Sequence, residues 1–142
     1  MQAFSVQEPR VKDFMQHLFV QNTFNSFEVR GITLRSFAYF EISREETEGY
    51  CTWEELRPYV RHIIKGREKP KAMKVVLAKS DPWVLHLNAA ALFVNITYDG
   101  DKITITTAVS QKNFALNKEV DIEWDSWVAE FLKQSGIVVA QL

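Results

Sequence analysis

Asp99-Gly100 lies between two stretches that alternate apolar and polar residues, and this arrangement restricts the chain more than any other local feature. The dipeptide suits a two-residue type I′ turn, so Leu92 to Val109 is expected to fold back as a β-hairpin. With Tyr98 opposite Asp101, Ile96 faces Ile103, Val94 faces Ile105 and Leu92 faces Thr107. Apolar residues of both strands then share one side, and Asn95, Thr97, Lys102, Thr104 and Thr106 share the other. That polar side is either simply solvated or a surface on which a ligand or another chain docks.

Periodicity extends the reading in both directions. Val11, Phe14, Met15 and Leu18 recur at helical spacing, which predicts an amphipathic helix over about Pro9 to Val20. From Phe24 to Ile42 the pattern becomes β-like, with phase changes at Gly31 and near Ser36 that imply two strands and a bulge or tight turn at those points. Arg44 to Tyr50 is acidic and reads as a loop. Thr52-Trp53-Glu54-Glu55 then reads as a capping box opening a helix to Lys65 and Gly66. Pro58 lies beyond its first turn, yet the stripe Trp53, Leu56, Val60, Ile63 and Ile64 continues across it, which favours a kinked helix over a break.

Lys71 to Lys79 carries Met73, Val75 and Leu77 on one side and Val76 and Ala78 on the other, as for a strand covered on both faces. A short strand over Asn113 to Leu116 is expected to continue the meander. The last helix begins at Asp121 and buries Trp124, Trp127, Val128, Phe131 and Leu132, with Gly136 at C′ and Ile137 folded back onto Leu132. The order α β β α β β β β α is that of a single α+β domain over residues 1–142, with a mainly antiparallel sheet and three helices.

The chain has 142 residues, 46% of them apolar and 13% aromatic, which is enough for one hydrophobic core. Its longest apolar runs, such as Ala89 to Val94, fall far short of the roughly 20 residues of a membrane helix, and its first residues do not show a basic segment followed by an apolar core. A soluble, cytoplasmic protein is the expectation. The single cysteine, Cys51, excludes an internal disulfide framework.

Charge is the one property that points outward. Between Arg57 and Lys79 stand eight basic residues against the single acid Glu68, a local +7 in a chain of net charge −1. On a helix begun at Trp53, Arg57, Arg61 and Lys65 advance by roughly 40° each along one flank of the apolar stripe. Arg67 and Lys69 lie just beyond it. Lys74 and Lys79 fall on the strand covered on both faces and so do not extend the patch. These five residues, Arg57, Arg61, Lys65, Arg67 and Lys69, are the candidate surface for an anionic or protein partner, with nucleic acid as the alternative. Trp53, Tyr59 and Trp83 would offer stacking surfaces to bases if exposed. The competing structural reading has the cations serve the helix C-terminus and pair with Glu45, Glu46 and Glu48.

No catalytic motif accompanies the basic tract. Cys51 is surrounded in sequence by Glu48, Glu54 and Glu55, which disfavour a thiolate. His17, His62 and His86 are scattered without metal-ligand spacing. Asp121, Glu123 and Asp125, like Glu54 and Glu55, sit where helix N-termini attract acids for dipole reasons alone. No cofactor or metal is expected.

Trp53-Glu54-Glu55-Leu56-Arg57-Pro58 running to Ile64-Lys65-Gly66, and Phe93-Val94-Asn95-Ile96-Thr97-Tyr98-Asp99-Gly100 leading to a helix at Trp124, together resemble a family of small uncharacterised proteins from Gram-positive bacteria, a domain of unknown function. The resemblance implies a bacterial, intracellular, single-domain protein and brings no activity, cofactor or catalytic residue with it. The functional expectation is therefore a non-enzymatic binding or interaction domain, the rival being a small enzyme whose site is assembled only in three dimensions. The apolar tail from Ile137 to Leu142 would add an edge strand or pack between subunits of a homo-oligomer.

Overall fold

In a computed structural model of the protein, residues 2–43, 49–64, 70–79, 89–113 and 118–142 are described. Among the described residues, seven strands form one sheet: β1 (Ala3–Val6), β2 (Glu28–Arg35), β3 (Tyr39–Ile42), β4 (Ala72–Lys79), β5 (Ala89–Tyr98), β6 (Ile103–Gln111) and β7 (Ala140–Gln141). Their spatial order is β3-β2-β4-β5-β6-β1-β7, and every neighbouring pair is antiparallel. Register aligns the apolar residues in rows across the sheet. Ile32, Val75, Ile96, Ile105 and Phe4 form one row and Leu34, Met73, Tyr98, Ile103 and Val6 the next, all of them buried.

Among the described residues, three helices cover that face: α1 (Val11–Phe19), α2 (Trp53–Ile64) and α3 (Glu119–Gln134). Phe24 and Phe27, between α1 and β2, lock the layers together: Phe24 meets Phe14 at 5.9 Å and Phe131 at 5.6 Å, and Phe27 meets Phe131 at 5.5 Å. The fold is the expected α+β domain with an antiparallel sheet. It adds a short strand at each end, β1 and β7, to the expected order. The strand anticipated at Asn113 to Leu116 falls almost wholly outside the described residues.

Local chemistry explains the helix boundaries. At α2 the Thr52 N–H and hydroxyl both donate to Glu55 Oε1, at 3.2 and 3.1 Å, and the Glu55 N–H donates back to Thr52 Oγ1 at 3.3 Å, which is the capping box in full. The helix runs through Pro58 without interruption. Pro58 removes the donor for the Glu54 carbonyl, but both residues are exposed, so the loss faces water. α1 starts at Val11 rather than Pro9, because Arg10 is its N-cap and turns back to Gln7 O at 2.8 Å. α3 starts two residues earlier than expected and ends as read from sequence. Ile137 N–H donates to Leu132 O at 3.0 Å and Gly136 N–H to Lys133 O at 3.1 Å, with Gly136 at φ +77°.

Two expectations about the strands change. The hairpin pairs Tyr98 with Ile103, Ile96 with Ile105, Val94 with Thr107 and Leu92 with Val109, two residues away from the anticipated register. Asp99 is the cause. Its carboxylate accepts the N–H groups of Asp101 and Lys102, both at 2.9 Å, which holds a four-residue loop in which only Gly100 has positive φ. A shift of two keeps every side chain on its face, so the apolar side survives the change. On β4, Lys74 is exposed, which corrects the reading of a strand covered on both faces. Lys79 is buried as expected, its ammonium donating to Ser26 Oγ at 3.0 Å and lying 4.6 Å from the Phe27 ring centre.

Candidate functional site

The basic tract begins where α2 crosses the end of α1. A helix C-terminus leaves carbonyls without donors; one side chain of α2 supplies a donor there and a second ties down the turn that follows α1. Trp53 Nε1 donates to Leu18 O at 2.5 Å, and Arg57 Nη1 donates to Gln21 O and, at 2.8 Å, to Asn25 Oδ1. Arg57 is thus half-buried and already committed to the chain's own backbone. One turn on, Arg61 and His62 are exposed, and together with Phe19, Val20, Arg57 and Pro58 they line a groove of about 360 Å³ between the two helices. Val20, within that lining, is exposed, and Tyr59, on α2 but outside the lining, is 70% exposed.

Of the five candidates, the structure brings Arg57 and Arg61 to this groove; Lys65, Arg67 and Lys69 lie outside the described residues, as do Trp83, His86 and the acidic residues Glu45, Glu46 and Glu48. Trp53 is fully buried and offers no stacking surface, whereas Tyr59 does.

The opposite face of the sheet holds a second group that the sequence did not single out. Between Val29 and Gly31 the pairing of β2 with β4 slips, so Arg30 is an extra residue in the strand. Its guanidinium lies 3.9 Å from the Tyr50 ring centre and 5.6 Å from that of Phe93, and Nη2 donates to Glu28 Oε1 at 3.3 Å. The phase change at Gly31 signalled the bulge. It gave no sign of which side chain the bulge would turn outward.

Other groups that the sequence singles out make contacts within the fold. His17 Nδ1 lies 2.9 Å from Thr23 Oγ1. The carbonyl of Cys51 accepts the Val29 N–H at 2.8 Å. Asp125 accepts the hydroxyl of the buried Thr107. Among the described residues no three His, Cys, Asp or Glu side chains converge as metal ligands would, and no helix is long and apolar enough to cross a membrane. Among the described residues, two groups titrate away from their ordinary range. Backbone N–H groups of Lys102 and Asp101 hold the Asp99 carboxyl low, and burial, helped by Glu8, Asp99 and Asp101, pushes the Tyr98 phenol up.

No curated protein and no solved structure matches the chain. Residues 11–140, from the start of α1 into β7, match a family description, and the chain belongs to that family of unknown function, DUF5721.

Proposed function

We propose that the chain is a non-enzymatic binding domain of the bacterial cytoplasm that engages an acidic protein segment through the groove between α1 and α2. One observation carries the reading: Arg57, Arg61 and His62 converge on a groove floored by Phe19, Val20 and Pro58. Cationic and aromatic side chains over an apolar floor are the composition of protein interfaces, where Arg and Tyr contribute most. Arg57 supplies charge while fixed in place by Gln21 and Asn25, which lowers the entropy lost on binding. Arg61 and His62, both exposed, form the adaptable rim.

Titration with a polyglutamate peptide, followed residue by residue by NMR, tests this. Saturable shifts at Val20, Tyr59, Arg61 and His62 are expected, and Arg61→Glu should weaken them by about tenfold or more, the loss of one charge-assisted contact. Shifts scattered over the surface, or none, overturn the proposal. Tighter binding of a single-stranded oligonucleotide at the same groove, falling steeply with salt, would replace it with the nucleic-acid reading.

A further inference from the structure

We propose that the sheet face opposite the helices holds a second, independent site: a groove at the β2 bulge that binds a small monocarboxylate on Arg30. The groove lies over β3, β2 and β4 and has a volume of about 260 Å³, with Arg30, Gly31, Thr33, Glu41, Ser43 and Lys74 among its lining. Ligand pockets span roughly 300–1,000 Å³, so this one admits a small molecule and not a macromolecular chain.

Three features of the fold build it. The extra residue at the bulge places Arg30 and Gly31 together on this face, where an unbroken strand would alternate them. Tyr50 and Phe93 hold the guanidinium from the flank, so its orientation is set before any ligand arrives. Gly31 then leaves a hollow, since a Cβ built there meets no atom within 4 Å. Gly31 is outside the positive-φ glycines, so its backbone does not demand glycine; the missing side chain is what keeps the groove open.

The donor set names the ligand. Among the described residues Arg30 Nε is buried without a hydrogen-bond partner, although Nη2 is engaged by Glu28. A buried donor without an acceptor is uncommon in folded proteins, and a carboxylate that draws the partly exposed guanidinium toward the groove would reach Nε and relieve it with a charge-assisted bond. Lys74, exposed on the neighbouring strand, adds a second positive charge to the wall. Glu41 stands in the same lining and repels further negative charge, which disfavours a phosphate dianion or a nucleic-acid strand and favours a singly charged carboxylate. Thr33 and Ser43 offer hydroxyls to the remainder of the ligand.

Acetate serves as the probe, with inorganic phosphate as the comparison, and the readout is NMR of the Arg30 Nε–H and of the Gly31 and Lys74 amides. Acetate should shift these signals saturably, and more tightly than phosphate does at neutral pH. Arg30→Lys should weaken acetate by at least about tenfold, because an ammonium cannot replace the stacked fork. Gly31→Val should abolish saturation while the amides of Ile96 and Ile105 stay in place, showing an intact sheet; if that variant does not fold, Gly31→Ala is scored by the same criterion. Saturation that survives the filled groove, phosphate binding more tightly than acetate, or shifts that never saturate would each overturn the site. The α1–α2 groove lies on the other face of the sheet, and its Arg61→Glu variant should leave the acetate response unchanged.

Discussion

At the scale of single residues, the two buried indoles show how far a side chain's role depends on partners distant in sequence. Trp53 donates to Leu18 O, 35 positions earlier, and Trp124 donates to Phe93 O, 31 positions earlier. The carbonyl at Leu18 is sealed in the core, whereas Phe93 is half-exposed and water can substitute there. Trp53→Phe should therefore cost about 1–3 kcal/mol for the orphaned acceptor beyond the lost packing, and Trp124→Phe only about 0.5–1.5 kcal/mol. Urea unfolding of both variants checks this, and equal losses at unchanged m-value would refute it. The sequence identified both tryptophans as buried from helical spacing alone. It could not supply their acceptors, nor show that Arg57 ties down the turn that follows α1, because spacing reports which face a residue occupies and not what crosses over it. Arg30 was missed for a related reason: its significance comes from a one-residue slip against β4 and from rings at Tyr50 and Phe93, none of which is local.

At the scale of elements, termini and turns were legible wherever one residue's chemistry decides them. The capping box at Thr52 and the C′ glycine at Gly136 were both read correctly, since each is a local contest for backbone hydrogen bonds. Gly136→Ala should destabilise the protein by about 1–2 kcal/mol, from the left-handed backbone alone, because a Cβ there meets no atom within 4 Å. A fall in Tm without any change in α3 content by circular dichroism is the expected signature. The hairpin turn was misread by two residues because two local solutions compete at Asp99-Gly100. A type I′ turn needs positive φ at both central positions, and the Asp99 carboxylate offers a four-residue loop that needs it only at Gly100. That bond also sets a pH dependence. The folded Asp99 titrates below its ordinary value of 3.8, so its contribution is complete above the unfolded pKa of about 4 and disappears as the pH falls through the folded one. Asp99→Ala should be less stable than the parent at neutral pH, with the gap narrowing as the pH is lowered below about 4; a gap that stays constant would show that the carboxylate is not the capping group.

At the scale of the whole molecule, the feature that sequence could not reveal is the closure of the sheet by the chain's two ends. β1 has four residues, too few to display a period, and its place is fixed by partners about a hundred residues away: Phe4 pairs with Ile105 and Val6 with Ile103. β7 in turn pairs only with β1 among the described strands, through Phe4 with Gln141 and Ser5 with Ala140. Of the two alternatives for the tail, an edge strand or packing between subunits, the structure shows the edge strand, formed by Ala140–Gln141 on β1. Assembly is consequently ordered. The β4-β5-β6 core can form from segments close in sequence, whereas β7 has no edge to join until β1 is laid down, and closing so long a loop is slow. Deleting residues 1–6 should remove β7 along with β1. The Thr107 N–H loses Gln2 O, the Leu142 N–H loses Ala3 O, and both should exchange with solvent at rates near those of an unstructured chain. Amides of Val75 and Ile96, paired in the middle of the sheet, should remain the more protected set. Leu142 still protected in the shortened protein would mean that β7 is held by the Gly136 turn and α3 rather than by β1, and the dependence of one terminus on the other would be refuted.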